Sequence, residues 1–251
     1  MLQIKGVSKN FGGLKAVNNC SLAVKKGSIT GLIGPNGAGK STLFNLITGF
    51  IPLDRGEVTF NGENITGISP HILAGKGLVR TFQTPNGFPN MTVMENMLVV
   101  PHGQQGERLL DAICFPCRVK EEEKRNAAKA LQLLEIVNLV GKRNELVKNL
   151  SAAECRLLEM VRQLMLGPSM LCLDEPASGV NPAMQRKLLG LINDLRKQGH
   201  TFLIIEHNLS FIMALCDIIY VMETGAIITR GTPDEVASDP KVIEIYIGGV
   251  A

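Results

Sequence analysis

The nine residues GPNGAGKST, Gly34 to Thr42, constrain this chain more than any other stretch. They match G-x-x-x-x-G-K-[ST], follow the apolar run ITGLI and open the helical stretch STLFNLITGF. The glycines allow successive backbone N–H groups to converge on phosphate oxygens, where a Cβ would clash. The helix N-terminus adds favourable partial charge. Gly34, Pro35, Asn36, Gly37, Ala38, Gly39, Lys40, Ser41 and Thr42 are therefore candidate nucleotide contacts. Lys40 is expected to bridge the outer phosphates and Ser41 to ligate Mg²⁺.

Two further stretches fit the same chemistry. MLCLDEP, Met170 to Pro176, reads as a buried strand ending in Asp174, whose carboxylate can hold Mg²⁺ through its water shell. Glu175 follows at once, where it can orient or polarise an attacking water. Two adjacent carboxylates closing a buried strand would be costly without a metal or a partner. TFLIIEH reads as a third strand ending at His207, whose imidazole can contact the γ-phosphate side of the site.

Around these stretches, strand-like and helix-like segments alternate in the first and last thirds. CDIIYVMETGAIITRG reads as a hairpin turning near Thr224–Gly225. The middle, Val93 to Leu166, has helical period instead, and its charge run Lys120–Arg125 reads as a solvated face. This pattern predicts an α/β core, residues 1–84 and 167–251, interrupted by a helical insertion, residues 85–166.

Composition bounds the alternatives. A chain of 251 residues can bury one large core or two intimate ones. Its net charge of +3 is too small to argue for nucleic acid, and no run of about 18 apolar residues spans a membrane. The start MLQIKGVSKNF lacks the features of a signal peptide, so a cytosolic address is expected. Of the six cysteines, Cys20, Cys172 and Cys216 read as small core fillers, and Cys114 and Cys117 as a C-x-x-C without further ligands.

The ordered set of phosphate loop, Asp174–Glu175 and His207 resembles the ATP-binding subunits of ABC transporters over essentially the whole chain. RTFQ supplies Gln83 at the position of that family's Q-loop, a further Mg²⁺ contact, and KNFGGLKAV offers Phe11 as the aromatic that stacks on adenine. The resemblance implies a P-loop core with a parallel sheet, an N-terminal antiparallel β subdomain and an inserted helical subdomain. It also implies an ATPase at the cytoplasmic face of the membrane, with permease subunits, a second ATPase subunit and, indirectly, an external solute-binding protein. The segment from IIEHN to DEV and the ending VIEIYIGG are similar to importers of branched-chain and other hydrophobic amino acids, with urea and amide importers close by. A soluble relative acting on ribosomes or DNA is the alternative, as is a nucleotide sensor without turnover. Tandem ATPase halves would mark the former, and Glu175 with His207 argue against the latter.

Within this resemblance, NLSAAEC stands where the family carries its LSGGQ signature, which closes over the nucleotide of a partner subunit. Ser151 can still donate its hydroxyl to phosphate, and Ala153 keeps its N–H. Ala153 is nevertheless expected to strain the backbone by about 1 kcal/mol if its φ is positive. Glu154 is expected to repel ATP by roughly 1–3 kcal/mol. Repairing both would then return roughly 2–4 kcal/mol to ATP-bound closure. A partner with an unaltered signature would leave one site strong, which favours a heterodimer. Asn181 stands where most relatives have aspartate. Phe88, Met91 and Met97 are expected to expose a soft apolar groove for a membrane partner's helix.

Overall fold

The computed structural model describes residues 1–81, 87–101, 104, 106 and 114–247, and the chain divides into two compact units, Met1–Gln83 with Ser169–Ala251, and Thr84–Pro168. Gln83 lies outside the described residues.

The first unit holds two sheets. The smaller is antiparallel, with strands in the order β2 (Leu14–Val24), β1 (Leu2–Phe11), β4 (Arg55–Phe60) and β5 (Glu63–Asn64). Alternation explains the inner edge of this sheet: Leu2 and Ile4 turn inward while Gln3 and Lys5 face out. The larger sheet runs β10 (Ala226–Gly231), β9 (Ile218–Glu223), β3 (Ile29–Ile33), β8 (Thr201–Ile205), β7 (Met170–Asp174) and β6 (Leu78–Arg80). All its pairings are parallel except the β9–β10 hairpin. Its central strands are buried at every position. That is why ITGLI, MLCLD and TFLII are continuous apolar runs without alternation.

A shared apolar core joins the two sheets. Phe44, from the helix Lys40–Ile47, lies in it together with Leu2, Val58 and Leu203. Burial of one such side chain contributes about 1.5–3 kcal/mol, so this helix is pinned by its apolar face. The third strand is shorter than the sequence suggested. It ends at Ile205, and His207 sits two residues beyond, where Asn208 caps the next short helix by accepting from the Phe211 N–H. The capping residue ends the strand pairing before the histidine.

The second unit is helical. Its long helix, Pro116–Ile136, carries the charge run on an exposed face, and it packs through Ala130 and Leu134. Helices Val93–Leu98 and Ala152–Leu164 bring Met97 and Val161, both fully buried, into the same core. Cys20, Cys172 and Cys216 are buried in the first unit, while Cys114 and Cys117 are exposed and unbridged.

Candidate nucleotide site

The carboxyl ends of β3, β7 and β8, neighbours in one sheet, carry the residues that the sequence singled out. In open parallel sheets this edge is where ligands bind, because the loops leaving adjacent strands converge there.

After β3 the chain enters the phosphate loop. Gly34 lies at φ 153°, and a Cβ there would fall 2.0 Å from the Met222 carbonyl oxygen. Gly39 lies at φ 94°, and a Cβ there would fall 2.3 Å from the Ala16 carbonyl oxygen. Only glycine fits either place. Gly39 is also the residue preceding the Lys40–Ile47 helix, and it offers no side chain to cap the first turn. The turn of the β9–β10 hairpin braces the loop from behind: the Gly225 N–H donates to the Ala38 carbonyl at 3.0 Å.

Lys40 is buried within this loop. Its ammonium donates to the carbonyls of Gly34 at 2.8 Å and Pro35 at 2.9 Å. Burial holds its pKa below the usual lysine range, and the nearby carboxylates of Glu175 and Asp174 oppose that shift. Beside the loop is a cavity of about 360 Å³ lined by Phe11, Leu14, residues 36–42, Glu175 and Thr224. Phe11, half exposed at the end of β1, thus shares one concavity with Lys40 and Ser41.

Asp174 closes β7 and is buried. Arg80 Nη2 donates to its Oδ2 at 2.7 Å. The guanidinium lies 5.2 Å from the ring centres of both Phe44 and Phe50, and also donates to Asn45 Oδ1 and Thr48 Oγ1. The sequence reading missed Arg80, although RTFQ was in view. An arginine three residues before a glutamine has no short-range signal of what lies 94 residues away. Glu175 adopts φ 47°, an uncommon conformation for a side-chain-bearing residue. Its N–H donates to the Ile205 carbonyl at 2.9 Å, and its Oε1 lies 3.7 Å from His207 Nδ1. That separation exceeds a hydrogen bond but keeps both groups on one side of the sheet edge.

Glu206 was also missed. It is fully buried, and burial raises its pKa against the pull of backbone N–H donors from Ala177, Asn208 and His207. Asn181 has a structural task. It caps the helix Pro182–Lys197 by accepting from the Met184 N–H at 2.9 Å, a role that asparagine and aspartate fill about equally well.

In the helical unit, SAAE is a capping box. Ser151 Oγ accepts from the Glu154 N–H at 3.3 Å, and Glu154 Oε2 accepts from the Ser151 N–H and hydroxyl, each at 2.9 Å. Lys142 Nζ pairs with Glu154 Oε1 at 2.9 Å. The Lys142 hydrogen bond, then the Ser151 N–H, hold the Glu154 carboxyl below its ordinary pKa. Ala153 falls inside the helix Ala152–Leu164 and is not among the residues with positive φ. The expected strain at Ala153 is therefore absent, and the Glu154 charge is bound locally. The sequence signal for this was S-x-x-E before an apolar helical stripe.

The expected apolar groove is corrected in one member. Phe88 and Met91 are exposed, but Met97 is fully buried in the helical core. The Phe88–Thr92 turn is held by the buried Asn96. Its Oδ1 accepts from the Phe88 N–H at 2.8 Å, and its Nδ2 donates to the Phe88 and Thr92 carbonyls at 3.0 Å.

Residues 17–178 match the family model described as ABC transporter. The chain belongs to the ABC transporter family. A second model, described as branched-chain amino acid ATP-binding cassette transporter, matches residues 226–251. The chain is 41% identical, over 99% of its length and 95% of the relative's, to the probable branched-chain amino acid transport ATP-binding protein LivG of Archaeoglobus fulgidus. It is 39% identical to the high-affinity branched-chain amino acid transport ATP-binding protein BraF of Pseudomonas aeruginosa, over 99% of this chain and 98% of that one. Among solved structures, a nucleotide-free ATP-binding cassette from an ABC transporter superposes with a TM-score of 0.85 at 40% identity, covering 99% of both chains. The ADP conformation of the cassette MJ1267 superposes with a TM-score of 0.84 at 39% identity, covering 99% of this chain and 98% of that one. The chain is thus an ATPase of this family, and no helix among its described residues is long and apolar enough to cross a membrane.

Proposed function

We propose that this chain hydrolyses ATP to drive an importer of branched-chain or other neutral amino acids, docked on permease subunits at the cytoplasmic face of the membrane. The observation that carries the reading is the convergence of Lys40, Asp174, Glu175 and His207 at neighbouring strand ends. Full-length likeness to proteins named for branched-chain amino acid transport supports the class of solute.

In this reading the glycine-built loop cradles the phosphates through backbone N–H groups, and Lys40 exchanges loop carbonyls for phosphate oxygens. Phe11 stacks on the adenine at the other end of the cavity. Asp174, the Ser41 hydroxyl and Gln83 offer the hard oxygen donors that suit Mg²⁺, and their chemistry fits that ion. When bound, Mg²⁺ neutralises charge on the phosphates. Glu175 accepts a proton from the attacking water, and His207 orients the γ-phosphate side. Ser151 and the Ala153 N–H face the nucleotide of a second ATPase subunit. The Ser151 hydroxyl must leave the Glu154 carboxylate to reach phosphate, which favours a partner of different signature. A solute-binding protein and the permeases then select the solute.

Glu175→Gln tests the catalytic part. Hydrolysis in the assembled transporter is expected to fall by roughly 10²–10⁴-fold with ATP affinity retained, because an amide cannot take the proton. A wild-type rate would remove Glu175 from the reaction. Capture of the tagged chain from solubilised membranes is expected to recover permease subunits and a distinct ATPase. Recovery of only a second copy of this chain would remove the heterodimer.

A further inference from the structure

Glu206 directly precedes His207 and is fully buried between two loops of the site. A carboxylate out of water requires donors on both oxygens. Its Oε1 accepts from the Ala177 N–H at 2.6 Å, and its Oε2 accepts from the N–H groups of His207 at 3.2 Å and Asn208 at 3.3 Å. Ala177 lies on the loop that leaves β7, two residues after Glu175. His207 and Asn208 lie on the loop that leaves β8. One side chain therefore ties together the main chains that carry both hydrolytic groups.

We propose that Glu206 is a positioning residue for ATP hydrolysis, clamping the Glu175 loop to the His207 loop through main-chain hydrogen bonds. The proposal rests on the reading of Glu175 and His207 given above. Glu175 sits at φ 47°, a conformation that local preference does not favour, so its loop depends on outside anchors. The Ala177 bond supplies one at the loop's far side, and the Glu175 N–H bond to Ile205 supplies another at its near side. The Glu206 bonds to His207 and Asn208 fix the second loop from the same carboxylate, so neither loop can shift without breaking a bond to that buried group. A displacement of about 1 Å at reacting groups costs on the order of a hundredfold in rate.

A carboxylate is needed because it is acceptor-only. In Glu206→Gln one oxygen becomes an NH₂, and it must face a backbone N–H on one loop or the other, donor against donor. The phosphate loop stands on β3 and has no bond to Glu206 through its side chain, so nucleotide binding is expected to survive.

The experiment compares ATP turnover and ATP affinity in the full chain, using wild type, Glu206→Gln and Glu175→Gln. Glu206→Gln is expected to lower kcat by about tenfold or more while Kd for ATP stays within about twofold. A merely structural role would move affinity and turnover together, and that result, or a kcat within twofold of wild type, would overturn the proposal. If Glu175→Gln turns over at the wild-type rate, the underlying assignment of the hydrolytic group fails first. If Glu175→Gln stalls while Glu206→Gln does not, the clamp alone fails. Hydrogen exchange on the native chain covers a variant that does not fold. The Ala177 amide is expected to be strongly protected, and exchange at the rate of a free loop would overturn the clamp.

Discussion

Two helices of this molecule begin in opposite ways. The helix at Lys40 follows a left-handed glycine, and no side chain caps its first N–H groups. The helix at Ala152 is closed on itself, with Ser151 and Glu154 satisfying each other's backbone donors and Lys142 neutralising the carboxylate. Both stretches are assigned to ATP in this family's resemblance, but only the first is built without its own occupant. An uncapped helix start leaves backbone donors available to a ligand, whereas a self-capped one uses them in folding.

Substitution at the open end is expected to have the largest effect. In Gly39→Ala the Cβ would sit 2.3 Å from the Ala16 carbonyl oxygen, so the loop must move. Loss of ATP binding by more than about a hundredfold, or about 2 kcal/mol or more of destabilisation, is expected from the clash and the positive φ together. Retained affinity in an equilibrium binding titration would break the comparison at its first term. Next comes Lys40→Ala, which removes charge-assisted bonds of about 1.5–3 kcal/mol to phosphate, a loss of roughly 10–150-fold in affinity. Because burial already disfavours the Lys40 charge, thermal stability without nucleotide should move by less than about 2 °C.

At the closed end the expected signs are reversed. Ala153→Gly with Glu154→Gln should destabilise the folded chain by about 1 kcal/mol, chiefly from lost helix propensity, with the charge pair to Lys142 also lost. A gain in stability would restore the strain that the sequence suggested and the helix contradicts. Ser151→Ala should cost about 1 kcal/mol, or roughly 2–4 °C in Tm, in the absence of any nucleotide. A smaller effect is expected with pH. The Glu154 pKa is depressed in the folded chain, so its contribution is complete above its unfolded value near 4.5 and is lost as pH falls through the folded value. Half-exposure of the Lys142 pair limits this to a few tenths of a kcal/mol. The gap between wild type and Glu154→Gln in denaturation should narrow from pH 7 to pH 4.

The phosphate loop was legible because its chemistry is local: nine contiguous residues hold the glycines, the lysine and the hydroxyls. Asp174 was legible as the polar end of an apolar run, and the hairpin turn at Thr224–Gly225 as a break in one. The capping box is equally local, a serine and a glutamate three residues apart ahead of an apolar helical stripe. Met97 shows the opposite limit. A soft apolar residue reads the same whether it faces a partner or a core, and only the packing of its helix against the helices Pro116–Ile136 and Ala152–Leu164 decided that it is buried.

The sequence by itself determined the strand that enters the phosphate loop, the strand that ends at Asp174, and the make-up of the loop between strand and helix, because each depends on neighbours within a few residues. Tertiary structure alone decided where those groups stand. Arg80 reaches Asp174 across 94 residues, and Gly225 braces the phosphate loop from a hairpin near the chain's end. Glu206 binds a loop 29 positions away. Each of these contacts exists because a parallel sheet sets strands that are distant in sequence about 4.8 Å apart, and no local pattern encodes which strands become neighbours.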